Sequence, residues 1–191
     1  MEANFTDYTR KKVSPPEATP GSSGGTNTGT TNTSNTTLPD YSANIDSPTA
    51  KSFSQEIIQK GYTYRMGAKG EGDAIDCSGA VCKVLKSIGI DRGDITISNS
   101  AQHLHNDSTE VKAGEEKDGD LITMNASPGS KKIDHIGFLV IDKNTGKKYI
   151  AESSSSFNSG RIVPFEERIS ALQDSAKKQN HNFEYHIRRL K

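Results

Sequence analysis

Apolar residues along the chain follow two different periods. In residues 49–60, Phe53 and Ile57 recur at helical spacing with Ile58 beside them, which predicts a helix stopped by Gly61. A glycine-rich loop follows. Val81, Val84, Leu85 and Ile88 then fall at i, i+3, i+4 and i+7, so the stretch opening at Cys77 reads as a second amphipathic helix closed by Gly89. Beyond a polar middle section the period becomes two. Strands are expected over 120–124, 135–141 and 148–152, the last two joined by a turn at 142–146, with residues 161–163 extending the meander. Residues 165–178 read as a helix and 183–190 as a final strand. Helices first and an antiparallel meander afterwards is the order of an α+β fold.

Composition divides the chain. Only 31% of the residues are hydrophobic, and the shortage is concentrated upstream. Residues 21–37 consist solely of Gly, Ser, Thr and Asn, which have nothing to bury against the entropy of ordering the backbone. Residues 1–47 are therefore expected to be an arm and flexible linker, and 48–191 one domain large enough for its own core.

Charge narrows the choice of partner. Lys+Arg and Asp+Glu both total 24, so no basic field draws the chain toward nucleic acid or an anionic membrane. Lys131-Lys132, Lys147-Lys148 and Arg188-Arg189 read as solvated faces. No apolar run approaches the length of a membrane span. Met1-Glu2 opens acidic and no apolar segment follows, so delivery by an ordinary signal peptide is not expected.

Two cysteines, Cys77 and Cys82, lie five positions apart on one expected helix and point in different directions, which makes a disulfide unfavourable. Asp76-Cys77-Ser78-Gly79 puts Cys77 at a helix start. There the unpaired N–H groups and the dipole favour a thiolate, and the same N–H groups can stabilise an oxyanion. The preceding glycine-rich loop is expected to leave the sulfur accessible. Position 77 also lies four before Val81 on the apolar stripe, so a plain core cysteine is the competing reading.

Several segments resemble, in order, the NlpC-like cell-wall cysteine peptidases of papain-like fold. Tyr64-Arg65-Met66-Gly67-Ala68 resembles their Tyr-x-Trp-Gly-Gly loop, with Met and Ala replacing Trp and the second Gly. Asp76-Cys77-Ser78-Gly79 is identical to their nucleophile motif. Ser100-Ala101-Gln102 resembles a Ser-x-x-Gln region, one residue tighter. Gly119-Asp120-Leu121-Ile122 resembles Gly-Asp-Leu-Val, His135-Ile136-Gly137-Phe138 resembles His-Val-Gly-Ile, and Ile187-Arg188-Arg189-Leu190 resembles the last strand.

The resemblance implies Cys77 as nucleophile and His135 as its base. It implies Tyr64 as support for the oxyanion, and Asp76 and Ser78 as holders of the substrate peptide, a simple helix cap being the other role open to Asp76. Family members often have Ile-His-Ala-Ser where this chain has Ile150-Ala151-Glu152-Ser153. A gapless match puts Ala151 at the orienting position, where it can orient nothing. A slip of one residue puts Glu152 there, whose carboxylate can accept the imidazole N–H. Glu152 is the favoured third residue, and Ser153 or no third residue are the alternatives. His103, His105 and Asp107 lack the converging spacing of a zinc site, and no metal or cofactor is expected.

The implied activity is hydrolysis of amide bonds in peptidoglycan stem peptides, of the D-γ-glutamyl–diaminopimelate or lysine type. The arm suggests a phage-tail component, bound to tail or baseplate proteins through residues 1–47 and acting from the virion on the bacterial wall. Alternatives are a muramoyl-L-alanine amidase, an antibacterial effector secreted or delivered to the periplasm, and a tail protein or wall-binding module with impaired catalysis.

Overall fold

The structure, a computed structural model, describes residues 40–90, 100–127, 130 and 132–191. Residues 1–39, which carry most of the expected arm and linker, lie outside the described residues. The last eight residues assigned to the linker are tied to the domain. Tyr41 N–H donates to the Ile162 carbonyl (2.8 Å), and the Asp40 carboxylate accepts Ile162 N–H (3.0 Å).

Helix α1, Pro48–Phe53, starts where Ser47 caps it. Its Oγ accepts Ala50 N–H at 3.0 Å and donates to Asp118 at 2.7 Å. A π-helical turn, Ser54–Ile58, continues α1, and Phe53 and Ile57 are fully buried. Two short strands follow, β1 (Thr63–Tyr64) and β2 (Ala74–Ile75), then helix α2 (Cys77–Ser87) and helix α3 (Ala101–Asn106). The remaining elements are β3 (Ser108–Glu110), β4 (Leu121–Met124), β5 (His135–Ile141), β6 (Lys148–Ser154), β7 (Ser159–Pro164), helix α4 (Phe165–Lys178) and β8 (Tyr185–Leu190). Val81, Val84 and Leu85 are buried, but Ile88 is 53% exposed, because α2 ends at Ser87 and the chain turns outward there.

Among the described residues eight strands form one sheet in the order β2-β1-β7-β6-β5-β4-β8-β3, antiparallel except for the β1–β2 pair. The sheet is covered on both faces, which fixes what each strand side chain can be. Ile136, Phe138, Val140, Ala151 and Ile162 pack with Phe53, Val81 and Leu85 of α1 and α2. Ile122, Met124, Leu139, Ile150 and Val163 pack with Phe165 and Ile169 of α4. Neighbouring residues on β5 therefore enter different cores, and a shift by one position exchanges the faces.

Gly160 on β7 supports the N-terminal layer. A Cβ there would lie 2.5 Å from Ile57 Cγ2, so a side chain would push the π-helical turn off the sheet. Arg188 and Arg189, expected on a solvated face, instead tie strands together. Arg188 bonds Glu110 at 2.7 Å, and Arg189 bonds Asp120 at 2.7 and 2.8 Å.

Candidate active site

Cys77 is the first residue of α2, with Asp76 as its cap. The Asp76 carboxylate accepts Gly79 N–H at 2.6 Å, leaving the Cys77 and Ser78 N–H groups at the helix start. Gly79 lets the preceding loop lie against this turn, since a Cβ would sit 3.0 Å from both the Ala68 carbonyl and Ile75 Cγ1. The Cys77 thiol points across to the head of β5, 4.0 Å from the Asp134 carbonyl. The sequence led to an accessible sulfur; instead Cys77 is only 6% exposed, because it packs into the core under α1 and α2 and turns its thiol to the head of β5.

His135 opens β5 and is buried. The chain leading into it is pinned from two sides. Ile133 N–H donates to Gln102 Oε1 of α3 at 2.9 Å, and the Asp134 carboxylate accepts the N–H groups of Ala126 (2.7 Å) and Ser127 (3.1 Å). His135 Nε2 makes a short hydrogen bond to Glu152 Oε2. A carboxylate only accepts, so Nε2 carries the proton, and Nδ1 is left for the thiol.

Strand parity explains why Glu152 and not Ala151 reaches the ring. Ala151 is paired with Phe138 and buried in the core under α1 and α2. Continuing that register puts Glu152 opposite Gly137, on the same face as His135 and one diagonal away. Gly137 makes the passage possible, because a Cβ there would be 2.7 Å from the Ala151 carbonyl and 3.2 Å from Glu152 Cβ. Ser153, the alternative third residue, turns its hydroxyl to the Ile75 carbonyl at 3.4 Å. The second Glu152 oxygen, Oε1, accepts Arg168 Nε–H of α4 at 2.5 Å.

The electrostatics follow from these contacts. Burial opposes the charged form of His135, but the Glu152 charge, the Cys77 contact and the Glu152 hydrogen bond outweigh it and raise the ring to about 10. Burial likewise opposes the Glu152 carboxylate, yet Arg168 first and His135 second hold it down at about 2. Tyr64 is pushed up to about 12 by burial and then by Cys77, Asp76, Asp134 and Glu152, which keeps its phenol protonated beside the thiol.

Asp76 and Ser78 flank Cys77, but their polar groups are already engaged. Lys69 Nζ lies 3.0 and 2.8 Å from the two Asp76 oxygens and 2.7 Å from Ser78 Oγ, which itself donates to Asp76 at 3.0 Å. Gly67 N–H adds a further bond at 3.1 Å. Asp76 thus acts as cap and loop anchor. His105 bonds Thr123 at 2.8 Å, His103 lies 3.2 Å from Ser100, and no group of three or more His, Cys, Asp or Glu converges as a metal site among the described residues.

Lys69 and Arg168 were not singled out in the sequence. Lys69 gives no periodic signal. Arg168 does: with Phe165, Ile169 and Ala176 it falls at i, i+3, i+4 and i+11, an arginine on the apolar stripe of α4.

Comparison with known proteins adds the family. The NlpC/P60 family model matches residues 61–182. A search of curated proteins gave no match. Among solved structures, a lipoprotein-like NLP/P60 protein from Staphylococcus aureus superposes with a TM-score of 0.50 at 18% identity, over 84% of this chain and 45% of that one. NlpC1 from Trichomonas vaginalis gives 0.49 at 18% identity, over 74% and 42%. The NlpC/p60 domain of the peptidoglycan hydrolase SagA gives 0.43 at 22% identity, over 62% and 88%. The chain thus spans less than half the length of the first two, and identities this low speak for the fold alone. Because the family model covers most of the described domain, from the loop before Cys77 to the turn after α4, the chain belongs to the NlpC/P60 family, as a distant member of that superfamily of cysteine hydrolases.

Proposed function

We propose that the protein is a peptidoglycan hydrolase that cuts an amide bond of the stem peptide by thiolate attack. The observation that carries this reading is the buried trio in which His135 meets Cys77 on one side and bonds Glu152 through Nε2. His135 Nδ1 takes the Cys77 proton, and the sulfur attacks the amide carbon. The oxyanion that forms meets the N–H groups at the start of α2, with the neutral Tyr64 phenol beside them. The imidazolium returns its proton to the leaving amine as the C–N bond breaks, leaving a thioester on Cys77. Water then gives a proton to His135 and its hydroxyl to the acyl carbon. The carboxylic acid departs, and the proton goes back to the sulfur.

The bond assigned is the one between D-γ-glutamate and the diamino acid, with the muramoyl–L-alanine amide as the rival. Purified peptidoglycan incubated with the protein should release muropeptides whose masses identify the cut, and Cys77→Ala should release none. Intact peptidoglycan after incubation with a folded, alkylatable wild-type protein would remove the hydrolase reading in favour of a wall-binding or structural role. The place of action that goes with this substrate is the bacterial cell wall. Carriage by a phage tail would rest on residues 1–47, of which 1–39 lie outside the described residues.

A further inference from the structure

A base that cycles its proton leaves Glu152 in two different situations. While His135 is an imidazolium, Glu152 has a cation on Oε2. Once His135 hands its proton to a leaving group, that cation is gone, and the Glu152 side chain is 0% exposed. A buried carboxylate without a countercharge takes up a proton. Here it would take the one that His135 needs.

Arg168 stands on the other side. Its Nε–H donates to Oε1, the oxygen that His135 does not use. The guanidinium is buried, with its carbon 4.9 Å from the centre of the Phe157 ring, and it does not lose its proton in proteins. The charged and titratable groups around the His135–Glu152 pair are Cys77 from α2, Tyr64 from β1, Asp134 at the head of β5, Arg168 from α4, and Arg161 of β7, which pairs with Glu152 across the strands and lies 5.5 Å from the centre of the Phe157 ring. Asp76, further along, is paired with Lys69. Of the two arginines, Arg168 is the one seen to donate to Glu152 Oε1, and its charge persists in every state of the cycle.

We infer that Arg168 is a positioning residue that acts as a permanent countercharge, holding Glu152 ionised while His135 is neutral so that the cycling proton never rests on Glu152. The inference rests on the pairing of Cys77 with His135 in the proposed function, but not on the identity of the substrate. The low value at which Glu152 is held, with Arg168 as its leading favourable cause, agrees with it.

The test uses iodoacetamide and the full chain, reading the mass of the Cys77 peptide against pH. Arg168→Met should slow Cys77 alkylation at neutral pH about tenfold and move the acid limb of the profile to higher pH, because a less supported Glu152 protonates sooner. Arg168→Lys, which keeps the charge, should slow it less. Glu152→Gln should slow it to a similar degree as Arg168→Met, and the double variant no further than Glu152→Gln alone, since a neutral residue 152 needs no countercharge. Wild-type rates and an unmoved acid limb in Arg168→Met, or slowdowns that multiply in the double variant, would overturn the inference. If Arg168→Met does not fold, Arg168→Lys decides the matter: alkylation as slow as in Glu152→Gln counts against a charge role, and a faster rate supports it. Wild-type protein that leaves peptidoglycan intact while the alkylation pattern holds would sink the proposed function and leave this inference standing.

Discussion

Gly137→Ala probes the orienting contact without touching any group that does chemistry. The added Cβ would lie 2.7 Å from the Ala151 carbonyl oxygen, 3.2 Å from Glu152 Cβ and 3.4 Å from Ile150 Cγ2. The nearest of these is backbone in the middle of the sheet, held by β7 on its far side, so no flexible side chain can absorb the contact. Relief requires β6 to move away from β5 by about half an ångström, an overpacking error of the kind that costs about 1–3 kcal/mol. For a domain of this size each kcal/mol lowers Tm by about 2–4 °C, so a drop of about 2–12 °C is expected. The same movement carries Glu152 away from the His135 ring, and misplacements of this order cost up to ~100-fold in rate. Activity should therefore fall by more than the loss of folded protein explains. Thermal unfolding and muropeptide release, both at 25 °C or ramped from it, separate the two effects. A Gly137→Ala protein with wild-type Tm and wild-type turnover would refute the register from which Glu152 was placed.

Three further outcomes are expected. Cys77→Ala should lose hydrolysis while keeping stability within about 1–2 kcal/mol, whereas Cys82→Ala keeps activity; mass spectrometry finding iodoacetamide on Cys82 and not Cys77 would reverse the assignment. The pair His135–Glu152 should shape stability against pH. His135 is raised from 6.5 to about 10, so its contribution is complete below about pH 6.5 and is lost as pH climbs toward 10. Glu152 is lowered from 4.5 to about 2, so its contribution is complete above about pH 4.5 and is lost toward pH 2. The Tm profile should therefore crest between these limits, and Glu152→Gln should flatten the alkaline side; an unchanged alkaline slope in that variant would show the pair is not responsible. Finally, a chain starting at residue 40 should melt like the full chain, while one starting at residue 48 loses the Asp40–Ile162 and Ser47–Asp118 contacts and melts several degrees lower, about 1–3 kcal/mol of hydrogen bonding. Equal melting of the two truncations would make residues 40–47 dispensable.

What the sequence disclosed and what it hid have separate physical causes. Strands such as His135–Ile141 and helix Phe165–Lys178 were legible because long runs bury one or both faces and so carry a strong period. Helix Ala101–Asn106 and strand Ser108–Glu110 were missed inside a polar stretch, where only Ala101, Leu104 and Ser108 are buried and no period can register. Glu152 was reachable by chemistry, since it alone among the neighbouring residues carries a charge that favours an imidazolium. The choice against Ala151 depends on sheet parity, which the length of the 142–146 turn obscured. Lys69 was hidden because its partners, Asp76 and Ser78, are reached through a folded loop and not along a regular element.

The strand that comes last in this domain's sequence is not the last in its sheet. Strand Tyr185–Leu190 lies between β4 and β3, and β3 has no other neighbour among the described residues. Its contacts join residues as much as 80 positions apart. A ribosome releases the N-terminal layer with Cys77 first, then the hairpin with His135 and Glu152, and this strand only at the end. Until then the outer side of β4 is open, and the platform from which α3 grips the approach to His135 has no strand beside it. The order of synthesis thus works as a timer: the support for the approach to His135 is complete only once the final residues of the domain are made.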